Sequence, residues 1–225
     1  MPVILEISEC AALMPACCEL ATVAVDEFAP PEKALLKEFM PTAQTAVVLA
    51  HHVTAAVEWA WFPFECERLN NTCAADLHAK LNVGLIEGWL NARGFSAAIL
   101  PYPGRCGVAF KYVAAKTVLG ELGANYLFLH RHWGPWTHLR VLLTDAVFAR
   151  QEAAAVRVCD GCQACLQACP AGVIKAGSFD GPGCGEYQKA RRIDANVDGS
   201  YIWKCEICAS VCPQGQKPKP VQITK

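Results

Sequence analysis

Eight of the 14 cysteines in this 225-residue chain lie between positions 159 and 212, in a spacing that few kinds of site can use. Residues 159–170 read C-x2-C-x2-C-x3-C-P, and residues 205–213 read C-x2-C-x3-C-P. A lone Cys184 between the two runs supplies the first cysteine that the second run lacks. This is an iron–sulfur ligand spacing, and eight thiolates are the number that two [4Fe–4S] clusters need.

The ferredoxin-type spacing also assigns each cysteine to a cluster. Three cysteines at x2 intervals bend around one cluster, and the fourth, in a following helical turn, points to the other cluster. One predicted cluster is held by Cys159, Cys162, Cys165 and Cys212, and the other by Cys169, Cys184, Cys205 and Cys208. Two zinc sites and disulfides are the alternatives. Zinc gives no reason for an x2-x2-x3 run before proline, and disulfides need an oxidising compartment that nothing in the chain indicates.

The composition indicates a globular redox protein. Apolar residues make up 53% of the chain and charged residues 18%, which excludes a disordered chain. A net charge of −1 makes nucleic acid an unexpected partner. The first nine residues contain no leader and no segment is long enough to span a membrane, so the expected location is the cytoplasm of an anaerobic or strongly reducing cell. Basic residues at 189–192 and in the tail form either a solvated surface or a docking patch for an acidic, low-potential electron donor such as ferredoxin or flavodoxin.

Six cysteines lie outside the cluster region, and most are expected to be small buried apolar side chains. Neither Cys17-Cys18 nor the Cys66…Cys73 pair has a metal-binding spacing. The other two are Cys10 and Cys106.

The hydrophobic pattern predicts an α+β fold, with helices against a mixed sheet and a ferredoxin-like module appended. Residues 1–40 read as mostly helical, including the apolar stretch 11–25, and residues 45–50 read as a buried strand. The region 53–93 reads as helical with a break at Pro63, and its Leu77, Leu81, Leu85 and Trp89 are expected to face the sheet. Strands are predicted at 95–100, 126–130 and 139–143, with the last two paired as a hairpin. The predicted domains are an α+β cofactor and substrate domain (1–155), the cluster module (156–215) and a flexible tail (216–225).

Three groups outside the cysteine runs are candidates for a substrate or cofactor site. The Pro- and Gly-rich loop 101–107 offers Tyr102, Arg105 and Cys106 as proton donors, since a tyrosine near an arginine has a lowered pKa. His130, His132 and His138 surround a turn that also carries Trp133 and Trp136, and we favour pocket lining over a metal site. His51 and His52 end a strand and are expected either to face the same pocket or to be structural.

Residues 111–125 read Lys111-Tyr-x-Ala-x-Lys116-x-x-Leu119-Gly120-x-x-Gly123-x-Asn125, and Gly134-Pro135 and Thr144-Asp145 follow. This pattern resembles the epoxyqueuosine reductase family, which is related to the reductive dehalogenases. The resemblance covers roughly residues 40–215 and implies a nitroreductase-like α+β domain. It also implies a corrinoid bound without a protein ligand to cobalt and reduced through the two clusters. Gly120, Asn125, His130, His132 and Gly134 are the candidate cofactor-binding residues, because glycine lets backbone approach a planar cofactor; ordinary turn chemistry is the alternative.

The sequence departs from the tRNA-modifying members of that family at one position of chemical importance. Where the family has an Asp-Ser-Ala-Pro segment with the proposed proton donor, this chain has Gly104-Arg105-Cys106-Gly107. The expected function is therefore an iron–sulfur redox protein that passes electrons to a corrinoid for reductive chemistry on a small molecule. The alternatives are an electron-transfer or corrinoid-reducing partner protein, a flavin-binding relative, and an epoxyqueuosine reductase that acts on tRNA.

Overall fold

The computed structural model describes residues 3–59, 61–63, 71–101, 107–151, 156–190 and 205–219. The strands are β1 (Ile4–Leu5), β2 (Cys18–Ala24), β3 (Thr45–His52), β4 (Trp61–Pro63), β5 (Asn71–Cys73), β6 (Ala97–Ile99), β7 (Gly120–Leu122), β8 (Phe128–His130), β9 (Thr137–Thr144), β10 (Val147–Phe148), β11 (Ile174–Lys175) and β12 (Ser178–Phe179). The helices are α1 (Ile7–Ala11), α2 (Pro30–Phe39), α3 (Ala74–Asn91), α4 (Phe110–Ala114), α5 (Ala164–Ala168), α6 (Gly181–Ala190) and α7 (Ile207–Ser210). Short 3-10 turns occupy Val25–Glu27 and Ala56–Trp59.

A four-stranded sheet in the order β2-β3-β9-β6 forms the centre of the α+β domain. All its neighbouring strands are antiparallel, and parallel pairing joins β1 to β10. Strand β3 was predicted from an unbroken apolar run. The run is apolar at every position because both faces of the strand are buried. Ala46, Val48 and Ala50 enter the core on one face of the sheet, while Val47 and Leu49 enter the core on the other face. A central strand covered on both faces has no side that needs polar residues.

Helix α3 covers one face of the sheet with a different set of side chains from the predicted one. Its buried residues are Ala75, Asp76, Ala79, Val83, Ile86 and Leu90. The leucine face predicted from four-residue spacing is wrong, because Leu81 is 71% exposed and Leu85 is 53% exposed. Alanines at 75 and 79 let the helix lie close to the sheet, and the bulkier leucines lie on its outer side.

Two further predictions about secondary structure are wrong. Residues 18–24, expected to be helical, form β2, which pairs along its whole length with β3 from Cys18↔His51 to Ala24↔Thr45. An Ala-rich sequence has helical propensity, but pairing with a buried strand overrides it. The expected hairpin of 126–130 with 139–143 is also absent from the described residues. Strand β8 pairs instead with β7, and β9 pairs with β3 and β6.

The C-terminal module packs on the α+β domain with little apolar core of its own. Among its described residues only Cys165, Ile174, Ala209 and Cys212 are buried and hydrophobic. Ala209 belongs to a small core shared with Cys73 and Trp136 of the domain. A Cβ on Gly134 would lie 2.2 Å from the Gln214 carbonyl oxygen, so the two backbones are in direct contact.

The chain after the module returns to the α+β domain. In the segment predicted as a flexible tail, the Lys219 N–H donates to the Thr54 carbonyl at 2.9 Å, and the Ala56 N–H donates to the Lys219 carbonyl at 3.0 Å. Residues 220–225 lie outside the described part of the chain. No helix in the described ranges has the length and apolar character that crossing a membrane requires. The α+β class with an appended cluster module is confirmed.

Candidate functional site

The four cysteines predicted for the first cluster line one small cavity. Cys159 and Cys162 lie in an irregular loop, Cys165 in α5, and Cys212 follows α7. The loop curls because Gly161 and Gln163 have φ values of 78° and 64°, in the left-handed region. Burial, and then the neighbouring thiols of Cys162 and Cys159, raise the pKa of Cys212, so these sulfurs lie close enough to repel one another as thiolates.

The four cysteines predicted for the second cluster also gather together. Burial raises the pKa of Cys208 to about 12, with further contributions from Cys205, Cys184, Cys165 and Cys169. Gln188 of α6 connects the distant Cys184 to this group. Its side-chain NH2 donates to the Cys184 sulfur at 3.4 Å, and its oxygen accepts the Cys205 N–H at 3.3 Å. The insertion between Cys184 and Cys205 therefore does not separate them in space.

Backbone N–H groups surround Cys169, which is expected of an iron–sulfur ligand. Burial opposes the thiolate form of Cys169, but N–H groups of the four residues from Ala171 to Ile174 point at its sulfur and lower its pKa overall. Gly172, with a φ of 62°, lets the chain turn back over the sulfur. Hydrogen bonds to sulfur are a main means by which proteins tune cluster potential. No disulfide joins any of the described cysteines.

A cleft of about 1200 Å³ lies beside the first cysteine set. Glu121 belongs to both features: it lines the cleft, and its Oε1 accepts the N–H groups of Val158 and, at 2.7 Å, of Cys159. The cleft's other polar lining comes from β2, the 3-10 turn after it, the start of β3, the segment after α4 and the segment after β10. It includes Thr22, Glu27, Thr45, Lys116, Thr117, Arg150 and Gln151.

Comparison with known proteins identifies the cysteine-rich module. Residues 158–215 match the family model described as a 4Fe-4S double cluster binding domain. The thiol-lined cavity and the backbone donors around Cys169 fit that chemistry, so the module is an iron–sulfur domain. Which cysteine binds which cluster remains a prediction.

Curated relatives extend the likeness upstream of the module. The chain is 30% identical over 117 residues to the epoxyqueuosine reductase of Leadbetterella byssophila, a match that covers 49% of this chain and 38% of that one. It is 29% identical over 134 residues to the Pseudomonas aeruginosa epoxyqueuosine reductase, covering 56% and 36%. The chain is thus similar to epoxyqueuosine reductases over about half of its own length. It matches little more than a third of the length of either reductase.

Solved structures of other proteins have the same fold as this chain. An epoxyqueuosine reductase bound to a tRNA-Tyr epoxyqueuosine-modified stem loop has a TM-score of 0.67 at 15% identity, covering 92% of this chain and 63% of that chain. A catabolic reductive dehalogenase in complex with 3-bromo-4-hydroxybenzoic acid has a TM-score of 0.56 at 18% identity, covering 79% and 26%.

The expectation that nucleic acid is an unlikely partner is wrong, because a protein with this fold binds a tRNA stem loop. The error came from the net charge of −1, which sums the whole surface and carries no information about a local binding face.

Two of the predicted cofactor residues, Asn125 and Gly134, lie where the module meets the domain, and a third, Gly120, lies between two strands of the domain. A Cβ on Gly120 would lie 2.0 Å from the Leu129 carbonyl oxygen, so this glycine lets β7 and β8 pair closely. Asn125 is buried, donates to the Cys208 carbonyl at 3.3 Å and accepts the Leu127 N–H at 3.1 Å. Gly134, with a φ of 57°, contacts Gln214 as described above. Gly120 also lines the cleft.

The structure separates His130 and His132, two of the three histidines proposed as pocket lining. His130 is fully buried and stacks on Trp133 with ring centroids 4.0 Å apart. Burial first, and then Arg131, His132 and His52, lower the pKa of His130 to about 3, so its ring is neutral. Its Nδ1 accepts the His132 N–H at 3.2 Å and is not available to a metal. The His132 side chain is 61% exposed.

The remaining predicted histidines divide between the two faces of the sheet. His138 is buried against Asp76 at 2.8 Å, and Arg140 binds the same carboxylate through two N–H groups at 2.9 and 2.7 Å. His52 stacks on Trp133, whereas the neighbouring His51 faces α3. The two histidines therefore do not face one pocket, since successive strand residues point to opposite faces.

Both predicted catalytic residues, Tyr102 and Arg105, lie outside the described residues, as do Cys66 and Cys106. Sequence reasoning missed Glu121 and Gln188, which position cysteines of the two sets. A single acidic or amide residue carries no motif, so only the spatial arrangement identifies them.

Proposed function

We propose that the chain is an iron–sulfur reductase of the epoxyqueuosine reductase type, which reduces a modified nucleoside in tRNA. The observation that carries the proposal is that Glu121 lines the cleft and also accepts the Cys159 N–H. The cleft therefore adjoins the first cysteine loop. A reductase needs this adjacency, because electrons must pass from a buried cluster to a site that a large substrate can reach. The likeness to epoxyqueuosine reductases over both parts of the chain supports the same assignment.

The proposal includes a corrinoid in the cleft, with the two [4Fe–4S] clusters held by the eight cysteines. When bound, the corrinoid supplies a metal centre that two low-potential clusters can reduce. Thr22, Thr117 and Gln151 line the cleft, and the Gln151 side chain, whose Oε1 accepts the Thr22 N–H at 2.7 Å, would offer its NH2 group to the corrinoid's amide side chains. Among the residues predicted from sequence, Gly120 borders this space directly.

The proposed proton donors, Tyr102 and Arg105, shortly precede Gly107 in the sequence. A Cβ on Gly107 would lie 3.6 Å from the Leu35 side chain of α2. About one turn earlier, α2 carries Glu32, which pairs with Lys116 of the cleft wall at 3.8 Å. The position of Gly107 near the cleft supports a role there for Tyr102 and Arg105, since opening of an epoxide requires a proton at the departing oxygen.

The test is an anaerobic assay with an epoxyqueuosine-modified tRNA stem loop, cobalamin and a low-potential reductant. We expect loss of one oxygen atom from the modified nucleoside by mass spectrometry, with about eight irons per chain, the number for two four-iron clusters. A Cys165→Ala chain should lose the reaction, and a Cys10→Ala chain should keep it, because Cys10 is a buried thiol far from the module. A protein with eight irons and bound cobalamin that leaves the nucleoside unchanged would refute the tRNA assignment.

A second candidate is reduction of a small organic molecule. It is favoured by the sequence from Pro101 to Ala109, which carries no carboxylate where the resemblance places the family's aspartate. The same preparation, given 3-bromo-4-hydroxybenzoic acid, would then release bromide in a cobalamin-dependent reaction. Eight irons without any spectral response to cobalamin would exclude the corrinoid from both candidates.

A further inference from the structure

A second group of soft metal ligands, separate from the eight cysteines of the module, lies at one end of the sheet. The ligand atoms of Cys17, Cys18 and His51 all lie within 4.8 Å of one another. Cys18 and His51 are directly paired residues of β2 and β3, and the Cys18 sulfur lies 3.4 Å from His51 Nδ1. No spacing along the chain predicts this group, because the two cysteines are adjacent and the histidine is 33 residues from Cys18.

The turn before β2 allows two adjacent cysteines to face the same point. Consecutive strand residues alternate between faces, but Cys17 lies in a turn closed by a hydrogen bond from the Cys18 N–H to the Pro15 carbonyl at 2.8 Å. Because Cys17 lies in this turn, its side chain does not have to point to the face of the sheet opposite Cys18. The Cys17 thiol therefore lies within hydrogen-bonding reach of the Cys18 thiol. Cys18 and His51 are 8% and 3% exposed, while Cys17 is half-buried.

His51 is oriented as metal-binding histidines are. Its Nε2 faces the Glu58 carboxylate at 3.4 Å, and that carboxylate is fixed by the Thr54 N–H, the Thr54 hydroxyl and the Ala55 N–H. A carboxylate at Nε2 holds the ring proton there and turns the Nδ1 lone pair toward the thiols. Carboxylate partners of this kind are a regular part of histidine–metal sites, and they raise the basicity of the ligand.

The sulfur of Cys18 also has a partner suited to a thiolate. The Asn82 side-chain NH2 group, on α3, donates to it at 3.4 Å. A neutral thiol in an apolar core does not require such a donor, whereas a metal-bound thiolate is stabilised by one.

We propose that Cys17, Cys18 and His51 bind one zinc ion, with a water molecule in the fourth position. Two thiolates balance the 2+ charge of the ion, so the complex is neutral at a mostly buried position. Three protein ligands and one exchangeable position are the arrangement of reactive rather than purely structural zinc sites. Binding releases the two thiol protons to solvent. The site shares no residue with the eight cysteines of the module.

The opposite side of the same imidazole is a weaker alternative. His51, Glu58 and His78 also place ligand atoms within 4.8 Å of one another. However, Glu58 Oε1 already accepts three hydrogen bonds, and His78 is exposed on α3. A metal at Nε2 would displace the Glu58 contact that orients the ring.

The experiment uses the full chain with its clusters, purified without oxygen, given one equivalent of zinc and freed of excess metal. Elemental analysis should find about one zinc per chain in addition to about eight irons. Zinc K-edge absorption should give two sulfurs at about 2.3 Å and at least one nitrogen at about 2.0–2.1 Å. Cys18→Ala and Cys17→Ser should each lose the zinc and keep the iron, and Cys10→Ala should keep both. Glu58→Gln should weaken zinc affinity by about 10–100-fold.

Four outcomes would overturn the proposal. Four sulfur ligands would place the zinc among the cluster cysteines. A shell of nitrogen and oxygen alone would place it between His51, Glu58 and His78. Zinc retained by the Cys17→Ser chain, whose half-buried side chain can change with little effect on the core, would show that the thiols do not bind it. A disulfide between Cys17 and Cys18 in the anaerobic protein, with no zinc bound, would have the same consequence.

Discussion

The two regions of this protein are stabilised in opposite ways. The α+β domain buries apolar side chains on both faces of its sheet, in two separate cores. The module of residues 156–215 has four buried hydrophobic residues in its described part, and two of these are cysteines. Hydrophobic burial therefore stabilises the domain, while the module depends on its clusters and on contact with the domain. The difference implies that the domain keeps its structure when iron is lost and that the module does not.

The strongest test of this contrast is removal of one cluster ligand. Cys165→Ala should reduce the iron content from about eight to about four per chain. Hydrogen exchange followed by mass spectrometry should then find the first cysteine loop, residues 156–163, unprotected, and β3 and β9 still protected. Cys10→Ala, which removes a fully buried thiol from the domain, should leave the iron and the exchange pattern of the module unchanged. A first cysteine loop that stays protected after the loss of its cluster would contradict the contrast.

Within the domain, the buried carboxylate of Asp76 should have the largest single effect. Burial opposes its charge, but bonds and charges from His138 and Arg140 outweigh that effect and lower the pKa of Asp76 to about 2. Its contribution to stability is therefore complete above about pH 4 and is lost as the pH falls toward 2. Asp76→Asn leaves Arg140 buried without its counter-charge and should cost about 3–5 kcal/mol in urea unfolding at pH 7.

The matched control is Asp26→Asn, which removes an exposed ion pair with Lys33. Because solvent screens that pair, its loss should leave the unfolding midpoint nearly unchanged. Equal effects of the two changes would mean that the buried network contributes nothing beyond a surface pair.

A third change tests the contact between the two regions. Gly134→Ala would place a Cβ 2.2 Å from the Gln214 carbonyl at a φ of 57°. The strain should cost about 1–3 kcal/mol, and limited proteolysis should cut the segment after Cys212 faster. Gly88→Ala on α3, where a Cβ meets nothing within 4 Å, should instead stabilise the chain by about 0.5–1 kcal/mol. Unchanged proteolysis of the Gly134→Ala chain would show that the backbone contact does not hold the module in place.

The smallest expected effect is the dependence of the domain's free energy of unfolding on pH that arises from His130. The pKa of His130 is about 3 in the fold and 6.5 for the free side chain, so the unfolded chain binds the proton more tightly. Stability is therefore lost as the pH falls below about 6.5, by about 1 kcal/mol between pH 7 and 5.5. His130→Gln should flatten this slope, and His132→Gln should leave it unchanged, since His132 is exposed. Iron content measured at each pH separates this effect from cluster loss.

The sequence predicted those parts of the molecule whose chemistry is local. The cysteine spacing predicted the module, and the apolar run at 45–50 predicted the central strand, because a ligand loop and a buried strand each leave a contiguous pattern. The outward-facing leucines of α3 were misread, because residues at i and i+4 lie on one helix face without indicating which face is buried. The approach of Gln188 to Cys184 and Cys205 and the pairing of Cys18 with His51 depend on strand and helix placement, which no local pattern contains.

The position of Glu121 makes the cleft and the first cysteine loop thermodynamically dependent on each other. One carboxylate oxygen accepts the N–H groups of Val158 and Cys159 while the same side chain faces the cleft. A ligand that draws this carboxylate toward itself removes two hydrogen bonds from the backbone that carries the first cysteine. Reciprocity of coupled equilibria then requires that the reduction state of the iron and occupancy of the cleft change each other's free energy by the same amount. A ligand bound at Glu121 would in this way affect the first cysteine loop without any moving domain.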